Sequence, residues 1–171
     1  MLRRLTVLLM LLTMASSAHA FSVRVVIDGV PTRWKNPVIP YYLQYAGSDD
    51  LSPEESVDTI RKAFESWRSI ECSKVDFEEL GDAPNPNVTV LTGNSPDGVN
   101  SLVWIEDDNW SLGKWVLGVT GPIITQDGSL VEADIAFNGL HLTWTTDGNG
   151  GTDLESVAVH EIGHMFGMIH L

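Results

Sequence analysis

The chain has 171 residues, 10 basic and 23 acidic, a net charge of −13 at pH 7 and a single cysteine, Cys72. That acidity repels phosphate backbones and anionic lipid, so it argues against nucleic acid and membrane surfaces as partners. One thiol excludes an internal disulfide, and with no Cys or His at ligand spacing around it Cys72 is expected to be a free, buried residue or to pair outside this chain.

Residues 1–20 carry Arg3 and Arg4, then an apolar run from Leu5 to Met14, then Ala18-His19-Ala20. A basic start, a short apolar middle and an A-x-A end predict a secretory signal peptide cut before Phe21. The run is too short to span a bilayer, which takes about 20 apolar residues. The expected mature chain, 21–171, has 8 basic residues against 23 acidic ones and a charge of −15. It is one domain's worth of sequence, expected to be a monomer that works in an extracellular or periplasmic space, off the membrane.

Residues 21–46 read as a short lead-in followed by a strand whose start is bracketed by Pro37 and Pro40. Ser52-Pro53-Glu54-Glu55 then predicts a helix start, with serine as N-cap, proline in the first turn and Glu55 closing a capping box. Val57, Ile60, Ala63, Phe64, Trp67 and Ile70 follow at helical spacing as one apolar stripe for packing on a sheet. Two short strands are expected over 74–80 and 87–92, split by a Gly- and Pro-rich turn. Strand, helix and strand in succession favour a parallel pair joined by a right-handed crossover.

Further strands are expected over 102–106, 115–125 and 130–138, with 107–113 as a surface loop carrying Trp110. Gln126-Asp127-Gly128-Ser129 is a hairpin signal. Gly118 and Gly121 leave two readings open: an edge strand able to bond an extended peptide, or a bulge. Asp147-Gly148-Asn149-Gly150-Gly151 supplies oxygens that suit calcium, but at a spacing unlike an EF-hand loop, and reads as a turn. Thr152 is the expected cap of the last helix, with Glu155 completing a second capping box and Leu154, Val157, Ala158, Ile162 and Met165 forming its buried face.

The last helix leads into His160-Glu-Ile-Gly-His-Met-Phe-Gly-Met-Ile-His170. Residues four apart share a helix face, so His160 and His164 can reach one cation. Glu161 lies beside the first ligand, placed to act on a water at the metal. Gly167 suits a positive-φ turn that ends the helix and brings His170 back as a third ligand. Three histidines leave one corner of a zinc tetrahedron open, the arrangement of a catalytic site. His141, the remaining histidine outside the leader, reads as a hydrogen-bonded side chain away from the site.

This H-E-x-x-H-x-x-G-x-x-H pattern resembles that of the metzincin metallopeptidases, and residues from Pro37 onward look like the matrixin branch. The closer likeness covers residues 152–171, with a looser one through the Ala133-Asp134-Ile135-Ala136-Phe137-Asn138 strand. The resemblance implies an α+β fold: a twisted, mostly parallel five-stranded sheet with one antiparallel edge strand and two large helices. It implies zinc on His160, His164 and His170, Glu161 as general base, and a polypeptide substrate. Leu171 departs from the family's usual residue after the third histidine. The family's Met-turn and C-terminal subdomain would lie beyond Leu171, so the sequence is expected to be part of a longer protease. The alternative is a zinc- or peptide-binding module that does not catalyse.

Overall fold

The computed structural model describes residues 22–23, 29–84, 88, 91, 93 and 95–170. The expected leader over 1–20 and most of the expected strand over 87–92 lie outside the described residues. In chain order the elements are β1 (Ser22–Val23), β2 (Arg33–Trp34), β3 (Val38–Leu43), α1 (Pro53–Arg68), β4 (Asp76–Asp82), β5 (Ser101–Ile105), β6 (Gly118–Ile124), β7 (Ser129–Asn138), β8 (Trp144–Thr145), β9 (Thr152–Asp153), α2 (Leu154–Met165) and β10 (Met168–Ile169).

Five strands run in the order β4-β3-β5-β7-β6, and only the last pairing, β6 on β7, is antiparallel. This is the expected α+β sheet, with one addition. The two residues of β2 pair parallel to Ser129 and Leu130, in line with β5 along the same edge of β7. The β6–β7 turn falls at Thr125–Gly128, where Gly128 has φ +80° and donates its N–H to Thr125 O.

The period-two alternation of the strands decides which face receives the helices. Leu102, Trp104, Ile135 and Phe137 point into the main core with α1 and α2, while Val103 and Ala136 point the other way into a smaller cluster with Val88 and Trp110. Trp110 is thus only 4 % exposed, although its loop is at the surface. An apolar face on the far side of the sheet demanded cover, and the large ring supplies it.

α1 starts as the sequence predicts: Ser52 accepts from Glu55 N–H, and the Glu55 carboxylate accepts from Ser52 N–H. Val57, Ile60, Ala63 and Phe64 are buried. Ile70 leaves the expected stripe, because the helix stops at Arg68 and the side chain beyond it is exposed. Cys72, two residues on, is free but exposed and not buried. The strand after α1 begins two residues later than expected, since pairing with β3 starts at Val38 and Asp76.

The cap of α2 is also displaced by one. Thr152 spends its N–H on Thr143 O at 2.8 Å within the β8–β9 pairing, so it is already strand. Asp153 takes the cap instead, its carboxylate accepting from Ser156 N–H at 2.9 Å. Leu154, Val157, Ala158, Ile162 and Met165 are buried as expected.

Candidate metal centre

α2 carries the centre, and three other elements hold it in place. Trp67 of α1 donates its indole N–H to Val159 O at 2.8 Å, tying the two helices together beside the motif. Trp34 of β2 donates to Met165 O at 2.8 Å and so satisfies a last-turn carbonyl that the helix cannot. Phe166, the C-cap, packs edge-on to Trp67 and against Phe77 of β4.

Past the cap, Gly167 adopts φ +87° and donates to His164 O at 2.8 Å. A side chain there would meet Thr32 Oγ1 at 2.5 Å, so both the backbone angle and the neighbour call for glycine. The bend turns the chain into β10, which pairs antiparallel with β1 and delivers His170.

The three imidazoles converge. His160 Nε2 lies 3.1 Å from His164 Nε2 and 2.8 Å from His170 Nε2. Zinc bonded at about 2.0–2.1 Å to three corners of a tetrahedron requires nitrogens about 3.3 Å apart, so the trio fits after opening by a few tenths of an ångström. His164 Nδ1–H donates to Met168 O at 2.8 Å, which fixes the tautomer and leaves Nε2 as the metal-facing nitrogen. Burial, with repulsion from His164 and His170, lowers the pKa of His160 and favours the neutral form that ligates. Among the described residues this is the one group of three or more His, Cys, Asp or Glu side chains close enough to share an ion.

Glu161 is 5 % exposed, yet it faces the cleft that holds the histidines. Its Oε2 accepts from the Thr120 hydroxyl of β6 at 2.6 Å. Burial raises the carboxyl above its ordinary value, against the pull of Thr120, His164 and His170. Gly118, two residues before Thr120, passes directly under this side chain. A Cβ built there would lie 3.1 Å from Glu161 Cγ and 3.2 Å from Oε1.

The register of the β6–β7 ladder excludes one of the two readings of the glycines, the bulge. The register shift in β6 falls at Ile123/Ile124, so neither Gly118 nor Gly121 marks a bulge. β6 pairs only with β7 among the described residues, which makes it an edge strand, and it forms one wall of a cleft of about 650 Å³ with His160, Glu161, His164 and His170 opposite.

His141 is exposed and outside this cleft. The Asp147 loop closes on itself, Asn149 N–H and side chain donating to the Asp147 carboxylate, and among the described residues it belongs to no group of three or more His, Cys, Asp or Glu side chains close enough to share an ion. Sequence spacing missed Thr120, the approach of Gly118 to Glu161, and the Met168 carbonyl. No local signal marks the first two, since Thr120 and Gly118 lie some forty positions from Glu161 and meet it only through sheet register.

With the geometry in view, the family follows from a comparison. The matrixin peptidase family model matches residues 33–171, from β2 through all three histidines. The chain belongs to the matrixin family. The match spans the matrixin sheet, both helices and the ligand-bearing bend. Its relatives include metalloendoproteinase 1-MMP of Arabidopsis thaliana, 28 % identical over 152 residues that cover 84 % of this chain and 36 % of the relative. Metalloendoproteinase 4-MMP of the same plant is 30 % identical over 148 residues, 81 % of this chain and 38 % of the relative. The hatching enzyme of Paracentrotus lividus is 28 % identical over 128 residues, 72 % of this chain and 18 % of that protein. The chain thus spans well under half the length of each of these relatives.

Proposed function

We propose that the chain is the N-terminal part, up to the ligand motif, of the catalytic domain of an exported zinc endopeptidase, with residues 1–20 as its leader. His160, His164 and His170 would hold the ion, and the convergence of their three Nε2 atoms is the observation that carries the reading. When bound in such a site, zinc lowers the pKa of a coordinated water to about 7 and polarises a substrate carbonyl.

The chain's own residues supply the rest. Among the described residues β6 pairs only with β7, so an extended polypeptide can add to its other edge as a further strand. That places a peptide carbonyl in the cleft above Gly118, beside the Glu161 carboxylate. Glu161 takes the proton from the attacking water and passes it to the departing amine nitrogen. Thr120 holds Oε2, and the other oxygen, Oε1, lies over Gly118 at the cleft wall. The buried setting of Glu161 raises its proton affinity and suits a group that must accept a proton and then release it.

Among the described residues no helix is long and apolar enough to cross a membrane. The basic-apolar-small pattern of residues 1–20 is what supports export into an extracellular or periplasmic space.

The test is cleavage of an unstructured polypeptide by the zinc-loaded chain, its loss on chelation and its return with zinc. Glu161→Gln should keep stoichiometric zinc while lowering kcat by about 10²–10⁴-fold. Zinc bound by a parent chain that cleaves nothing would point to the binding module instead. Cleavage undiminished in Glu161→Gln would remove the carboxylate from the mechanism.

A further inference from the structure

Trp115 is 82 % exposed, the most solvent-open large apolar side chain among the described residues. Single exposed leucines and valines are ordinary, but a tryptophan carries about 150–250 Å² of surface and is mostly buried on average. Leu112 and Leu117, on either side of it in sequence, are also exposed.

The ring stands on a braced turn. Trp110, itself buried, donates its indole N–H to Gly113 O at 3.0 Å. Val116 N–H closes back on Gly113 O, and the Asn138 side chain donates to Val116 O at 2.9 Å. Asn138 N–H donates to Leu117 O at 3.0 Å, which continues the β6–β7 ladder up to the turn. Gly113 takes φ +90° to make the bend. Lys114 Nζ sits 4.8 Å from the ring centroid and steadies it by a cation–π contact. These bonds fix the backbone of the turn on both sides of Trp115, so the ring stands on a platform, with Lys114 as its own side-chain contact.

The turn ends where the cleft begins, and Trp115 is not itself among the residues that line the cleft. Leu117 and Gly118 line it, and Gly118 lies under Glu161. Trp115 precedes Gly118 by three residues, at most about 10 Å of extended chain. A substrate strand laid along β6 would therefore bring a side chain two or three residues from the scissile bond over Trp115.

We propose that Trp115 is a specificity-determining residue, seating a large apolar or aromatic side chain of the substrate two or three residues from the scissile bond, on the side that runs toward the start of β6. This rests on the proteolytic reading of the cleft. An indole face presents area with little rotamer entropy to lose, so an aromatic partner gains most from it.

The experiment uses the full zinc-loaded chain and peptides carrying Phe or Ser at the second or third position on either side of the cleaved bond. The expected result is a preference for Phe at one such position, about tenfold in kcat/KM and expressed mainly in KM. Trp115→Ala should abolish the preference and Trp115→Phe should retain most of it. No preference in the parent chain, or one that survives Trp115→Ala, overturns the proposal.

If the parent chain cleaves none of the peptides, the proteolytic reading fails, and the same peptides are titrated against it by calorimetry. Tighter binding of a Phe peptide that Trp115→Ala weakens about tenfold still supports the platform. Equal binding, or none, overturns it.

Discussion

α1 and α2 both begin at an extended residue whose side chain accepts a backbone N–H, Ser52 for one and Asp153 for the other, yet they dispose of their polar residues in opposite ways. α1 turns Asp58, Arg61, Glu65 and Arg68 outward. There Arg61 pairs with Glu79 at 2.7 Å and Arg68 with Asp76 at 2.6 Å, both on β4. α2 half-buries His160 and His164 and buries Glu161 almost wholly. Solvated polar groups on a helix keep it soluble and contribute little else. Buried ones cost free energy unless partnered, and a helix that keeps a whole cluster of them is arranged for chemistry. One helix braces the sheet; the other is held by that brace so that three nitrogens and a carboxylate meet.

The largest expected effect tests the α2 side. His160→Ala should leave no zinc after dialysis, by metal analysis, and bring peptide cleavage to background. The metal-free variant should melt no lower than the metal-free parent, since it loses a half-buried polar ring and no core packing. A clearly lower melting point would mean the histidines serve stability, and the contrast between the helices would collapse.

The next tests α1. Phe64 is sandwiched between Tyr41 at 4.1 Å and Phe77 at 4.6 Å, and through Phe77 reaches Phe166 at the end of α2. Phe64→Ala should cost about 3–5 kcal/mol by denaturant unfolding, with zinc still bound wherever the chain is folded. A loss below about 1 kcal/mol would show that the brace lies elsewhere.

A smaller effect sharpens how closely β6 must approach. Gly118→Ala puts a methyl against the Glu161 carboxylate and should lower kcat about tenfold while zinc content and melting stay unchanged. An unaltered kcat would mean the carboxylate moves aside without consequence.

The smallest effect concerns the exposed ion pairs. The bond from Arg61 holds the Glu79 carboxyl below its ordinary range, with the Tyr45 and Tyr41 hydroxyls helping and burial opposing. A depressed carboxyl stabilises the fold above its unfolded value of about 4.3 and loses that contribution as pH falls through the lower folded value. Arg61→Ala should therefore cost at most about 1 kcal/mol at pH 7, screened as the pair is, and the difference should close below about pH 4. A gap that persists in acid would assign the loss to packing of the arginine stem.

Much of this was legible locally. The Ser52–Glu55 box, the Gly128 hairpin and the Gly167 bend each depend on residues within a few positions, and each forms where spacing predicts. The misses share a cause. Thr152 was taken by a strand pairing with Trp144, Ile70 fell outside a helix that ended early, and Trp110 was drawn under the sheet by an uncovered apolar face.

What the amino-acid order determined alone is whatever lies within one helical turn or one tight bend: the His160–His164 pair, the position of Glu161 and the glycine that lets His170 return. What only the tertiary structure decided is the company those residues keep. Thr120 and Gly118 reach Glu161 through the register of β6 on β7, and Trp34 and Trp67 reach α2 across 131 and 92 positions of chain. Such contacts depend on how strands and helices stack, a choice made by the summed burial of the core, which no local spacing encodes.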